Sequence, residues 1–141
     1  LQLVLDTSVA VKWYASEDHT VESLQLAQDA RQGSVRLLSP DILLPEFCHT
    51  LHKAVRAGVL PRGEVRTVLN AFRRVPIDLV PAAELVDEAL HLTMLTGGAF
   101  YDALFVALAQ REDADVVTAD ERMINAFAKI GRCVHVKDFK F

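Results

Sequence analysis

The sequence predicts an α/β protein: a three-layer α/β/α sandwich around a central, mainly parallel sheet. Two observations carry this. Short apolar runs of strand length alternate along the chain with longer segments of helical period, and no linker, low-complexity tract or repeat of fixed period interrupts them. Strands separated by helices pair in parallel through crossovers, which places helices against both faces of the sheet. At 141 residues and 51% hydrophobic composition, the chain is expected to form a single domain over residues 1–141 with a sizeable core.

Leu3, Val4 and Leu5 make the first strand, closed by Asp6, Thr7 and Ser8, which are helix-capping types, and residues 9–15 continue as a helix. Residues 19–32 form the next helix, with Val21, Leu24, Leu26 and Ala27 apolar and a stop at Gly33, and residues 35–38 form the second strand. Residues 40–57 are helical, with Leu44, Phe47, Leu51 and Val55 at steps of three or four and Gly58 as the stop. Pro45 leaves two readings open there: the helix begins near Leu44, where proline costs nothing, or it is kinked.

Pro61 opens a helix to about Arg74, residues 77–80 form the third strand, and residues 82–95 a helix ended by Gly97 and Gly98. Residues 101–110 are apolar almost all the way round, which predicts a buried helix. Residues 116–118 are the next strand, residues 121–130 a helix and residues 133–136 the last strand.

No apolar run approaches the roughly 18 to 20 residues that cross a bilayer, and no N-terminal signal pattern is present, so a cytoplasmic protein with no membrane association is expected. Cys48 and Cys133 lack metal-ligand spacing and read as two buried thiols. The net charge of −4 is the wrong sign for a general basic surface that grips nucleic acid. Two bound divalent cations would cancel it and invert the sign locally.

Four acids stand out. In an open parallel sheet, sites form at the carboxyl ends of the strands. Asp6 follows the first strand directly, and Asp120 follows Thr118 after only Ala119. Asp102 begins the buried helix, and Glu46 stands in the first turns of the helix beside Pro45, so both lie where the helix dipole favours an ionised carboxylate. Each acid alone has a structural explanation as a cap, strongest for Asp120. Asp102 is different, because seven apolar residues follow it and no basic residue lies in residues 97–110. A buried charge needs a partner, and a cation could be the missing one. Converging carboxylates without a required histidine or cysteine suit hard divalent ions and in-line phosphodiester hydrolysis.

Four segments resemble the PIN domain, and within it the VapC-type toxins of bacterial and archaeal toxin–antitoxin pairs: VLDTSVAVKWY around Asp6, LLPEFCHTL around Glu46, FYDALFVALA around Asp102 and VVTADERM around Asp120. They span nearly the whole chain in the family's order. The resemblance implies a PIN-like fold and an endoribonuclease that uses Mg²⁺ or Mn²⁺. Asp6 and Asp102 would be the most direct metal ligands, with Glu46 and Asp120 completing the catalytic site partly through water. Ser8 and Thr118 match polar positions that hold the site's geometry or contact phosphate. It further implies an RNA substrate, a homodimer and a small antitoxin whose C-terminal segment blocks the active-site groove. Tyr101 departs from the small residue expected before Asp102, which puts substrate access in question but removes no ligand.

Other readings compete with this one. Glu46, His49 and His52 contain one Glu-x-x-His unit, where a di-iron bundle needs two. Lys12, Arg56, Arg73, Arg74, Arg122, Lys129 and Arg132 form either a phosphate track or an ordinary solvated surface, and Trp13 and Tyr14 read as core packing. A phosphatase with an aspartyl nucleophile would carry a second aspartate where Ser8 stands. A stand-alone RNA-processing nuclease, or a non-catalytic binding module of the same fold, are the remaining alternatives.

Overall fold

A computed structural model describes residues 1–15 and 18–139. Five strands, β1 (Gln2–Leu5), β2 (Arg36–Pro40), β3 (Ile77–Val80), β4 (Asp115–Thr118) and β5 (Cys133–His135), form one sheet in the order β3-β2-β1-β4-β5. Every pairing among them is parallel, with Val4 opposite Leu38 and Val116, and Thr118 opposite His135.

Successive strand side chains point to opposite faces, and the core divides accordingly. Leu3, Leu5, Leu37 and Val117 pack under one helical layer, while Val4, Leu38 and Val116 pack under the other. The first layer holds α1 (Thr7–Ala10), α2 (Thr20–Gln32), α3 (Leu43–Arg56) and α4 (Val65–Arg73). The second holds α5 (Val86–Thr96), α6 (Phe100–Arg111) and α7 (Glu121–Ala126). This is the three-layer sandwich expected, with a wholly parallel sheet among the described residues.

Several boundaries differ from the sequence reading. The helix expected over residues 9–15 begins at Thr7 and tightens after Ala10 into a 3₁₀ turn, Val11–Trp13. The helix at Pro61 also opens as a 3₁₀ turn, Arg62–Glu64, and α7 stops at Ala126 rather than continuing to residue 130. Pro45 lies in the first turn of α3, where a missing N–H leaves no intrahelical bond unmade, so the unkinked reading holds. Trp13 and Tyr14 pack as core: Trp13 Nε1 donates to Ser23 O at 2.9 Å, and Tyr14 meets the Phe47 ring edge-on at 5.6 Å. Cys48 and Cys133 are free and half-buried rather than buried, and burial pushes the Cys133 thiol up to about 12, leaving it unreactive.

Helix α6 anchors the second layer. Residues 103–109 are all buried, and α6 packs across β1, β2 and β4. Its four large apolar side chains there, Leu104, Phe105, Val106 and Leu108, each contribute roughly 1.5 to 3 kcal/mol on burial. The α5–α6 pair is apolar enough to resemble a broken membrane span, bent by 114°, but α6 is the core of the sandwich, and no single helix among the described residues is long and apolar enough to cross a bilayer.

The bend passes through Gly97, whose φ of 75° terminates α5, and Gly98, where a Cβ would lie 2.4 Å from the Phe127 ring. Gly98→Ala is therefore expected to lower the unfolding free energy by about 1 to 3 kcal/mol through overpacking. Gly63→Ala, at a position with open space around it, serves as the control that stays near wild type. Denaturant melts of both variants check this, and equal stability of the two would refute the close-packing argument.

Candidate active site

The chain fills one side of the sheet from β1 through β2 to β3, then crosses to β4 on the other side. A topological switch point therefore lies between β1 and β4, and the crevice outside their carboxyl ends is where a ligand site forms in such sheets. Asp6 stands at that point. Its backbone N–H donates to Val117 O at 3.1 Å, so the β1–β4 ladder runs on until the aspartate itself.

Although it is only 7% exposed, Asp6 keeps its carboxylate well supplied with donors. Ser8 Oγ donates to Asp6 Oδ2 at 2.5 Å and Thr118 Oγ1 donates to the same oxygen at 2.8 Å. Both hydroxyls are in turn fixed by the turn after β4: Ala119 N–H donates to Ser8 Oγ at 2.9 Å and Asp120 N–H donates to Thr118 Oγ1 at 3.0 Å. The matches to Ser8 and Thr118 thus coincide with residues that tie the ends of two adjacent strands to one carboxylate.

Glu46, on α3, is joined to the residue after Asp6: Thr7 Oγ1, at the start of α1, donates to Glu46 Oε1 at 2.7 Å. Asp102 lies in the first turn of α6, half-buried. Asp120 is the N-cap of α7, with Oδ1 accepting from Arg122 N–H at 2.9 Å and Met123 N–H at 3.4 Å. The capping role foreseen for Asp120 is real, and it occupies one oxygen.

Asp6, Glu46 and Asp102 each feel the charge of neighbouring acids. Burial raises the Asp6 carboxyl above the usual carboxylate range, opposed by the Ser8 and Thr118 hydroxyls and reinforced by Asp120. Burial also raises Glu46, opposed by Thr7 and reinforced by Asp6. Asp102 is raised to about 6, first by burial and then by Asp6, Asp120 and Glu46, with Arg122 drawing it partly back. No Lys, Arg or His among the described residues makes an ion pair with any of the four.

The donor chemistry fits a hard divalent cation: carboxylate oxygens, with neither thiolate nor imidazole among them. The side chains are not drawn tightly round one point, and no group of three or more Asp, Glu, His or Cys among the described residues meets the spacing of a closed metal site. Mg²⁺ keeps several waters and takes only one or two carboxylates directly, so an open arrangement remains compatible with it. His49 and His52 join no ligand group among the described residues, and Tyr101 is an exposed side chain against Phe100.

Two contributors went unrecognised in the sequence. Thr7 read only as a capping type, although its place between Asp6 and Ser8 made it the residue that turns toward a different element. Arg122 read as one of several scattered bases. Its spacing of two from Asp120 was the signal that it shares the acidic edge.

A PIN domain family model matches residues 3–130, and the chain belongs to that family. It is similar to Ribonuclease VapC3 of Pyrobaculum aerophilum, 25% identical over 131 residues, covering 90% of this chain and 95% of the relative. Among solved structures, a Pyrobaculum aerophilum protein superposes with a TM-score of 0.70 at 18% identity, covering 97% of this chain and 90% of that one. A toxin–antitoxin complex from Klebsiella pneumoniae gives 0.64 at 13% identity with 99% of both chains covered. VapBC2 of Rickettsia felis, bound to a promoter DNA fragment, gives 0.61 at 17% identity, covering 96% and 97%. At these identities the structures speak for the fold.

The raised carboxyls set a pH dependence. Between the unfolded value near 3.8 and the folded value near 6, native Asp102 binds a proton that the unfolded chain does not, so stability falls as pH rises through about 6. Glu46 and Asp6 act in the same direction. Metal-free protein is accordingly expected to melt at higher temperature at pH 5 than at pH 7.5, and Asp102→Asn to melt higher than wild type at pH 7.5 with a shallower slope. Calorimetry of both proteins in chelator tests this; a wild-type melting temperature that rises from pH 5 to 7.5 would overturn it.

Proposed function

We propose that this PIN domain is a Mg²⁺- or Mn²⁺-dependent endoribonuclease and the toxin of a type II toxin–antitoxin pair. One observation carries the reading: a buried carboxylate at the switch point of the sheet, held by two hydroxyl donors, among three further acids and with no ion-pair partner among the described residues. The likeness to a relative named as a ribonuclease, and to the fold of a toxin–antitoxin complex, supports it.

Asp6 and Asp102 would hold the cation most directly, with Glu46 and Asp120 completing the site partly through water. A cation held there would supply polarisation of the attacking water and compensation of charge on the leaving oxygen. The chain's own residues prepare that chemistry. Ser8 and Thr118 favour the ionised form of Asp6 against its burial, and Thr7 fixes the rotamer of Glu46. Because Asp120 spends Oδ1 on its own helix, Oδ2 remains for water or the ion. Arg122 brings positive charge to an edge that would otherwise repel the phosphate backbone.

A small cognate antitoxin and a second copy of the chain complete the proposal. For the second copy, α5 offers Val86, Leu90 and Met94, exposed at helical spacing of four.

Asp6→Asn and Asp102→Asn are expected to abolish RNA cleavage while the far-ultraviolet spectrum and cooperative melting persist. Ser8→Ala and Thr118→Val are expected to raise the Mn²⁺ concentration needed for half-maximal cleavage by about 10- to 100-fold, as loss of a ligand's supporting hydrogen bond does elsewhere. Assays on structured and single-stranded RNAs, with Mn²⁺ titrated from chelator upward, give both readouts. Wild-type rates from either asparagine variant would sink the site assignment.

A further inference from the structure

A cavity of about 180 Å³ lies beside the acidic site and is lined by Glu121, Ile124, Asn125, His135, Lys137 and Asp138. Its position follows from the sheet. His135 ends β5 directly opposite Thr118 of β4, the residue whose hydroxyl holds Asp6, and adjacent parallel strands lie about 4.8 Å apart. Glu121 is the residue after Asp120. The cavity is therefore one strand further along the same carboxyl edge.

Its lining is polar but not cationic. Lys137 Nζ lies 3.7 Å from Glu121 Oε1, and Asp138 adds a second carboxylate, so the cavity repels phosphate rather than collecting it. What it offers instead is a mixture of donors and acceptors on rigid supports: the Glu121 carboxylate, the Asn125 amide on α7, and the His135 ring. His135 is only 8% exposed. Its Nδ1 accepts from Lys137 N–H at 3.1 Å, which puts the ring proton on Nε2, and Nε2 has no hydrogen-bond partner among the described residues. The His19 ring meets it edge-on at 5.3 Å and holds its plane.

A volume of about 180 Å³ falls below the range of roughly 300 to 1,000 Å³ for drug-sized ligands, which suits a single planar ring system without its sugar. Carboxylate, amide and imidazole are the groups that read the edges of unstacked bases, and a histidine ring also offers a stacking face. We infer that the cavity beyond β5 receives one nucleobase of a single-stranded RNA whose neighbouring phosphate lies over the four acids, and that Glu121, Asn125 and His135 select which base.

This rests on the ribonuclease reading for the identity of the polymer, so its test includes a probe with no bond to cleave. Titrating the isotopically labelled wild-type protein with each of the four nucleoside 5′-monophosphates, followed by nuclear magnetic resonance, is expected to shift the Asn125 side-chain amide and the His135 ring for one base above the other three. The His135 shift should vanish in Asn125→Ala, and both shifts should weaken in Glu121→Gln. In cleavage of RNAs that differ at one nucleotide, both variants should lose about tenfold in kcat/KM on the preferred RNA and much less on the others, flattening the preference. If no monophosphate moves those two signals at millimolar concentration, or if both variants discriminate among RNAs as wild type does, the inference is wrong. A wild type that binds one base selectively but cuts no RNA would instead refute the nuclease reading and leave the base site standing.

Discussion

Everything at the functional edge depends on holding one carboxylate where water scarcely reaches. Asp6 is pinned by the last hydrogen bond of the β1–β4 ladder and cannot move outward without breaking the sheet. An isolated buried charge of this kind is strongly unfavourable, and the hydroxyls of Ser8 and Thr118 only partly compensate. The remainder is a standing demand for positive charge. Three more acids near it deepen that demand rather than relieve it, which is the reverse of what selection for stability alone would arrange.

The rest of the architecture can be understood as keeping that unfavourable cluster in place. One helical layer delivers Glu46 through α3 and the other delivers Asp102 through α6, so the acids arrive from both faces of the sheet. Seven consecutive buried residues fasten α6 against three strands immediately after Asp102. The favourable burial and the electrostatic cost are adjacent in sequence, and the first holds the second.

Much of this was legible in the sequence because it depends on local pattern. The strand-to-helix alternation, the glycine stops at Gly33 and Gly97, and the apolar stretch after Asp102 each follow from one short window, and the structure has all of them. Asp6 and Asp120 could be placed on one edge from parallel topology alone. What escaped was whatever depends on rotamers across long separations: Thr7 reaching Glu46 39 positions away, or Thr118 reaching Asp6 112 positions away as a donor. The early tightening after Ala10 and the short α7 escaped too, since helix ends are set by tertiary packing more than by propensity. The closeness of the four carboxylates was likewise a matter of three-dimensional spacing, and their open arrangement could not be read from residue type.

The contact between Gly98 and Phe127 extends beyond packing. Gly98 stands two residues before the helix that carries Asp102, and Phe127 closes the helix that Asp120 caps, so this one contact joins the segments that carry those two acids. In descent with modification the two positions form a linked pair: a side chain gained at 98 costs stability until the ring at 127 has shifted or shrunk. A lineage that took that route would repack the joint between the segments bearing Asp102 and Asp120, at two residues that hold neither metal nor substrate.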